Sequence, residues 1–119
     1  MNRLSLLILF LSGFLSSDLS PAGFSFNPAS GVSNRMLTPN GDGKNDFVVF
    51  TFNNPKDSQV TGKIYDLQGR LVAEMSPGPV SNSLEWNGKA GGQAVPGGIY
   101  IYQIQAEGKT FNGTIVVIR

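Results

Sequence analysis

A chain of 119 residues with a net charge of +1 has room for one domain and lacks the broad positive field that nucleic-acid binding requires, so we expect no nucleic-acid partner. It contains no Cys and no His, which removes thiol nucleophiles, His-based catalytic dyads and the usual zinc, copper and haem ligands, and we expect no enzyme. Its 15 Gly and 7 Pro residues divide the sequence into short segments, which favours many strands over a few helices.

The first 17 residues have the pattern of a secretory signal peptide. A basic start at Arg3 precedes an apolar run over 4–15, and the small residues Ser16 and Ser17 follow. The run is shorter than the roughly 20 residues that a membrane-spanning helix needs. We therefore expect a signal peptide over 1–17, and export to a secreted or cell-surface location. Membrane contact is then confined to this segment; an uncleaved N-terminal anchor is the alternative.

Turn-forming residues dominate the next part of the chain. Residues 18–35 are rich in Ser, Pro, Gly and Asn and predict a linker or at most one short edge strand, over Gly23–Phe26. Residues 36–37 lead into the segment 38–43, where Pro presets φ and the Asn-Gly and Asp-Gly pairs favour positive φ. The folded domain is therefore predicted to span 36–119, with a tight turn near its start.

Short strands separated by turns make up the predicted domain. The segment 46–53 is apolar on both of its alternating faces, which predicts a central strand covered on both sides. Hairpins are predicted around 66–69 and 107–109. The predicted strands are 46–53, 59–65, 70–75, 83–86, 99–106 and 110–118. This number of strands in one domain predicts an all-β, antiparallel sandwich of the immunoglobulin-like or fibronectin III-like type, with about seven strands.

Five segments of this domain follow one another in an order that is typical of one family. The first reads Leu-Thr-Pro-Asn-Gly-Asp-Gly-Lys-Asn-Asp over 37–46, the last reads Gly-Thr-Ile-Val-Val-Ile-Arg over 113–119, and the others lie at 63–72, 84–88 and 95–102. Together they resemble the C-terminal sorting domains that the type IX secretion system of Bacteroidetes exports, also called gliding-motility-associated C-terminal domains. The second half is also similar to the immunoglobulin-like domain of the flagellar hook-capping protein.

The resemblance implies a secreted, non-enzymatic module that outer-membrane export machinery recognises. The resemblance also implies that the recognition site is the last strand, at the edge of the sheet. An exposed edge strand readily accepts another strand, so β-augmentation is the expected mode of recognition. The residues of the implied recognition site are Gly113, Thr114, Ile115, Val116, Val117, Ile118 and Arg119. The alternative is that this is simply the last strand of the sandwich.

Two other functions stay open. One is a cell-surface binding or adhesion module for a glycan or a protein, and the other is a structural domain like that of the flagellar cap. The predicted partner is accordingly export machinery or a cell-surface protein.

Oxygen-bearing side chains in the first motif are candidates for a calcium site. Asn40, Asp42 and Asp46 carry the oxygens that this hard cation prefers. The EF-hand spacing fails, however, because Lys44 takes the third ligand position. A turn that starts a strand explains the same residues, so we expect no cofactor, with Ca²⁺ as the alternative.

Aromatic residues in the second half suggest a glycan-stacking platform. Trp86, Tyr100 and Tyr102 are the candidates, with Glu85 beside the Trp. A single Trp in a small sandwich more often fills the core between the sheets. The two interpretations differ in whether these rings are exposed.

Overall fold

The computed structural model describes residues 22–119, so the predicted signal peptide and the first residues of the predicted linker lie outside the described part. One short helix, α1, covers Pro28–Gly31. Ten strands follow it: β1 Met36–Leu37, β2 Val48–Thr51, β3 Thr61–Tyr65, β4 Leu71–Glu74, β5 Ser76–Pro77, β6 Ser83–Trp86, β7 Lys89–Ala90, β8 Gln93–Ala94, β9 Gly98–Ala106 and β10 Lys109–Val117. Within this range, no helix has the length and apolar character needed to cross a membrane.

Two sheets enclose the core. The larger has the order β1-β10-β9-β3-β4 and the smaller has the order β2-β6-β5, while β7 and β8 form a separate two-stranded ribbon. The sequence β10, β9, β3, β4 matches the G-F-C-C′ order of an immunoglobulin-like sheet. The predicted all-β sandwich is confirmed. Among residues 22–119 its two sheets hold eight strands and the ribbon adds two, where about seven were expected in all. The ribbon strands and the two-residue strands β1 and β5 are too short to stand out by alternation.

The β9–β10 hairpin is the longest element and follows the prediction closely. Nine residues of each strand pair in one register, from Lys109 opposite Ala106 to Val117 opposite Gly98. The turn between them has positive φ at both Glu107 (53°) and Gly108 (72°), as a type I′ hairpin turn requires. Alternation along both strands then sends one row of side chains into the core.

Residues 24–34, predicted as a linker or an edge strand, are packed onto the sandwich. Phe24 and Phe26 are 1% and 6% exposed and belong to the core. Ser25 bridges Asn53 beyond the end of β2, and Val32 bridges Phe50 within it. The chain then crosses to the larger sheet, where β1 runs parallel to β10. The packed unit therefore starts no later than Phe24, earlier than the predicted boundary at residue 36.

The β9–β10 turn holds the start of this N-terminal segment. Oε1 of Glu107 accepts the backbone N–H of Phe24 at 2.9 Å, and Nζ of Lys109 donates to the carbonyl of Phe24 at 3.0 Å. Oε2 of Glu107 also accepts the hydroxyl of Ser58 at 2.6 Å. The Ser58 bond first, and then the Phe24 bond, lower the pKa of Glu107 below its ordinary value of 4.5.

The prediction that 46–53 is covered on both faces is wrong. Val48, Phe50 and Phe52 are buried, but Phe47 is 45% exposed and Thr51 is exposed. The strand belongs to the smaller sheet of a two-layer sandwich, so only one of its faces meets the core. Phe47 is an apolar residue on the outer surface.

Candidate functional site

Loop 38–46, which carries the first motif, is built around one carboxylate. Oδ1 of Asp46 accepts the backbone N–H groups of Asn40 and Gly41 at 3.2 and 2.9 Å, and Oδ2 accepts that of Gly43 at 2.7 Å. The bond from Gly43 is the largest influence that lowers the pKa of Asp46 below its ordinary value of 3.8. Gly41 and Gly43 have φ of 80° and 84°, which explains why glycine stands at these two positions.

The predicted calcium ligands all take part in this network. Oδ1 of Asn40 accepts the N–H of Asp42, and Oδ1 of Asp42 accepts the N–H of Lys44, at 3.1 and 2.9 Å. Between residues 22 and 119 there is no group of three acidic, His or Cys side chains that could hold a metal ion. The turn thus accounts for the residue types of the motif through backbone contacts, and calcium binding stays a prediction.

Arg119, the residue of the predicted recognition segment with the longest reach, turns its guanidinium onto three loops. Nε donates to the carbonyl of Val95 at 2.9 Å and Nη2 donates to that of Gly88 at 3.0 Å. Nη1 lies 3.5 Å from the carbonyl of Pro39. One side chain thereby connects loop 38–46 with both sides of the β7–β8 ribbon.

The remaining residues of the recognition segment divide between core and surface. Ile115 and Val117 are buried, Gly113 and Val116 are half-buried, and Thr114 and Ile118 are exposed. β1 covers the outer edge of the strand at its end: Val116 donates to Arg35 at 2.9 Å and Ile118 donates to Leu37 at 2.8 Å.

The earlier part of β10 has an open edge. Backbone groups of alternate residues point to the same side of a strand, so those of Thr110, Asn112 and Thr114 point outward, like those of Val116. No strand of the described chain pairs with them there. The open edge of β10 therefore spans residues 110–114, and the covered edge spans 116–118.

The three aromatic candidates lie in the core. Trp86, Tyr100 and Tyr102 are 2%, 7% and 0% exposed, so none presents a ring face to a sugar. The Trp86 and Tyr100 rings pack edge to face at 5.5 Å. Nε1 of Trp86 donates to Lys89, and Oη of Tyr100 donates to Pro96 at 2.6 Å. The interpretation as core residues is the one that the structure supports, and the glycan-stacking interpretation fails because the rings are buried.

A cleft of about 590 Å³ lies between the β3–β4 turn and the ribbon. Arg70, Leu71 and Val72 line one side, and Ala94, Val95 and Pro96 line the other. Arg70 is tied to its own turn, because its Nε donates to Oδ2 of Asp66 at 2.8 Å. Hydrogen bonds from Arg70, first from its backbone N–H, lower the pKa of Asp66 below its ordinary value of 3.8.

These features define an immunoglobulin-like sandwich in which the last strand, the first motif and the ribbon meet at one end. A family model described as the CHU_C Type IX secretion signal domain matches residues 30–117. The chain belongs to this family, and its domain is a type IX secretion sorting-signal module. The match includes loop 38–46 and all of β10 but stops before Ile118 and Arg119.

Other comparisons give little more. No curated protein matches the chain. Among solved structures, CopC from Methylosinus trichosporium OB3b is similar with a TM-score of 0.40 and 18% identity, over 60% of this chain and 74% of that one. This likeness is too distant to bear on the function of the chain.

Proposed function

We propose that outer-membrane export machinery recognises this domain as a sorting signal and that the domain has no catalytic role. The observation that carries the proposal is the match of residues 30–117 to the type IX secretion signal family. The predicted destination is the cell surface or the medium, reached via the periplasm, and the predicted partner is a protein of the export apparatus.

The open edge of β10 supports a mode of recognition. A strand edge with unpaired N–H and C=O groups accepts a strand from a partner, and natural proteins usually protect such edges with charges or proline. Thr110, Asn112 and Thr114 are all uncharged and none is proline. Lys109, which precedes this edge in the sequence, has its ammonium 3.0 Å from the carbonyl of Phe24. The edge is therefore suited to β-augmentation by a partner.

Three carboxylates have structural roles that support a role of the domain without catalysis. General acids need a raised pKa near neutral pH. In Asp46, Asp66 and Glu107 the pKa is lowered, in each case by hydrogen bonds that hold a turn or the N-terminal segment. These groups therefore act as structural acceptors.

The test is a transport assay in a bacterium with type IX secretion. A fluorescent protein is placed between an established Sec signal peptide and residues 18–119, so that the core residues Phe24 and Phe26 are included. We expect cargo to leave the periplasm only when the system is intact. Cargo that stays in the periplasm of the intact strain would contradict the sorting role and favour a surface-binding module.

A matched pair of variants tests the edge. Asn112→Pro removes an outward N–H at a position where an edge strand tolerates proline, whereas Asn112→Ala keeps that N–H. We expect reduced export of the proline variant, normal export of the alanine variant, and similar melting temperatures for both. Equal export of the two variants would rule out pairing at the open edge.

A further inference from the structure

Arg119 is an exposed arginine whose guanidinium contacts three backbone carbonyls. Its guanidinium reaches carbonyls that lie 24, 31 and 80 residues away in the sequence, those of Val95, Gly88 and Pro39. Each carbonyl belongs to a different loop, and the loops share no strand pairing in the larger sheets. The β7–β8 ribbon already connects the loops of Gly88 and Val95, and the side chain adds a link from these loops to Pro39, with which they share no strand pairing.

The geometry requires an arginine. A guanidinium presents its donors in a rigid planar fork, whereas the ammonium of lysine is a single point with a flexible stem. Nε and Nη2 reach Val95 and Gly88 together, while Nη1 faces Pro39. The ammonium of a lysine has three donors but is a single point, so we expect a lysine at this position not to reach all three carbonyls together.

At two of the linked carbonyls, water has little access to take the place of the guanidinium as donor. Val95 is 6% exposed and Gly88 is buried. Gly88 also accepts the backbone N–H of Val95 at 3.0 Å, so the two loop ends already meet, and Arg119 bridges the same junction. Loss of the guanidinium leaves the carbonyl of Val95 without that donor, and a buried acceptor without a partner is unfavourable.

The arginine stem also shapes the surface beside the last strand. An apolar recess of about 380 Å³ is lined by Thr38, Pro39, Asn40, Ile118 and Arg119. Ile118 is 42% exposed at its rim. The recess lies beyond the end of β10, next to the covered edge. It is on the same edge of the larger sheet as the open edge, because β1 pairs along that edge and leads directly into residue 38. The position of loop 38–46 therefore decides the shape of this surface.

We propose that Arg119 is a positioning residue for the sorting signal: it fixes loop 38–46 and the ribbon in one arrangement, and this arrangement is required for export. The inference rests on the proposed function, which it deepens by naming a residue outside the family match. Arg119 itself need not touch the partner. The role is distinguished from a general contribution to stability by its expected readout, because amide exchange should change in loop 38–46 and not in β9 and β10.

The in vitro test uses residues 18–119 with Arg119→Ala, Arg119→Lys and the control Arg70→Ala, an exposed arginine whose contacts stay within its own turn. The chain has a single Trp, and Nε1 of Trp86 donates to Lys89, next to Gly88. We expect Arg119→Ala to shift Trp emission to longer wavelength and to speed amide exchange in loop 38–46 by about tenfold or more, with exchange in β9 and β10 unchanged. The Trp emission and the exchange rates of Arg119→Lys should lie between those of Arg119→Ala and the wild type, and those of Arg70→Ala should match the wild type.

The in vivo test places the same variants in the transport assay. We expect Arg119→Ala to lose most export, Arg119→Lys to keep part of it, and Arg70→Ala to keep it all. If the wild type is exported and Arg119→Ala equals Arg70→Ala, or if exchange in loop 38–46 does not change, the inference is overturned. If wild-type cargo stays in the periplasm, the proposed function is wrong, and so is the inference that the arrangement of the loops is required for export. The exchange measurement then decides by itself whether Arg119 positions the loops.

Discussion

The ring of Tyr102 lies over Gly113, the residue directly opposite it on the neighbouring strand. A Cβ at position 113 would overlap the ring and its hydroxyl. The Tyr102 ring in turn packs against Phe50, with 4.9 Å between the centroids, and edge to face against Phe26 at 6.0 Å. This glycine is therefore set by packing at the point where both sheets and the N-terminal segment meet.

Gly113→Ala should destabilise the fold by about 1–3 kcal/mol, because the added methyl group enters a filled space and displaces the ring. Urea unfolding of the variant measures this change. Thr114→Ala, at the next residue and on the exposed face, serves as the control and should stay within about 0.5 kcal/mol of the wild type. Equal midpoints for the two variants would show that the ring has room to move.

Tyr102→Phe should raise the free energy of unfolding by about 1 kcal/mol, because it removes a buried hydroxyl that has no hydrogen-bond partner among residues 22–119. An unsatisfied buried hydroxyl is unfavourable. Burial also raises the pKa of Tyr102 above 10.0. The matched change Tyr100→Phe should act in the opposite direction, because it removes the bond to Pro96. Denaturant unfolding of both variants decides the point, and a loss of stability in Tyr102→Phe would reveal a partner for the hydroxyl.

Phe24→Ala should cost about 3–5 kcal/mol, the usual range for removing a buried aromatic ring. Phe47→Ala is the control: the same chemical change at a side chain that is 45% exposed should cost far less. Thermal or urea unfolding compares the two. Similar small effects would mean that the segment before residue 36 contributes little to the fold.

The last prediction also shows where the sequence was misleading. Phe24 and Phe26 have the alternation of a strand, but the Ser, Pro, Gly and Asn residues around them predicted a linker or at most one short edge strand over Gly23–Phe26. Their burial depends on Tyr102 and Phe111, whose rings they contact and which lie far along the chain. Local composition carries no trace of such contacts. The β9–β10 hairpin, by contrast, depends on neighbouring residues and was predicted nearly to its ends.

The position of the candidate site was predictable from the sequence, but its contacts were not. The motif at 37–46 marked the loop, but its Asn and Asp residues fit either a metal site or a turn until their hydrogen-bond partners were seen. Nothing in the sequence pairs Arg119 with Pro39, Gly88 and Val95, because these carbonyls belong to the backbone. Backbone acceptors are the same at every residue, so only the fold identifies them.

The free energy of unfolding should fall in acid, in part because Glu107 becomes protonated. Its pKa is lower in the folded state than the ordinary 4.5, so its contribution is complete above that value and is lost as the pH falls through the folded pKa. Glu107→Gln should remove this part of the pH dependence. The control Glu74→Gln makes the same chemical change at an exposed carboxylate. Melting temperatures between neutral pH and acid measure the effect, and parallel profiles for both variants would contradict it.

Asp46→Asn should lower the melting temperature without any added metal, because an amide nitrogen would then face one of the three backbone N–H donors. Asp42→Asn is the control, since one remaining oxygen is enough for its single bond to Lys44. A rise in the melting temperature of the wild type with millimolar Ca²⁺, lost in both variants, would instead support the calcium prediction.

The parallel pairing of β1 with β10 has a consequence for how the chain folds. Met36 and Leu37 have no strand partner until Val116 and Val117 are available, and Phe24 lacks its hydrogen bonds until the β9–β10 turn has formed. The loop between β1 and β10 contains most of the domain, so we expect it to close slowly and after the local hairpins have formed. A chain that emerges from a ribosome or a pore with its N-terminus first therefore stays open, with its aromatic core exposed, until β10 has followed.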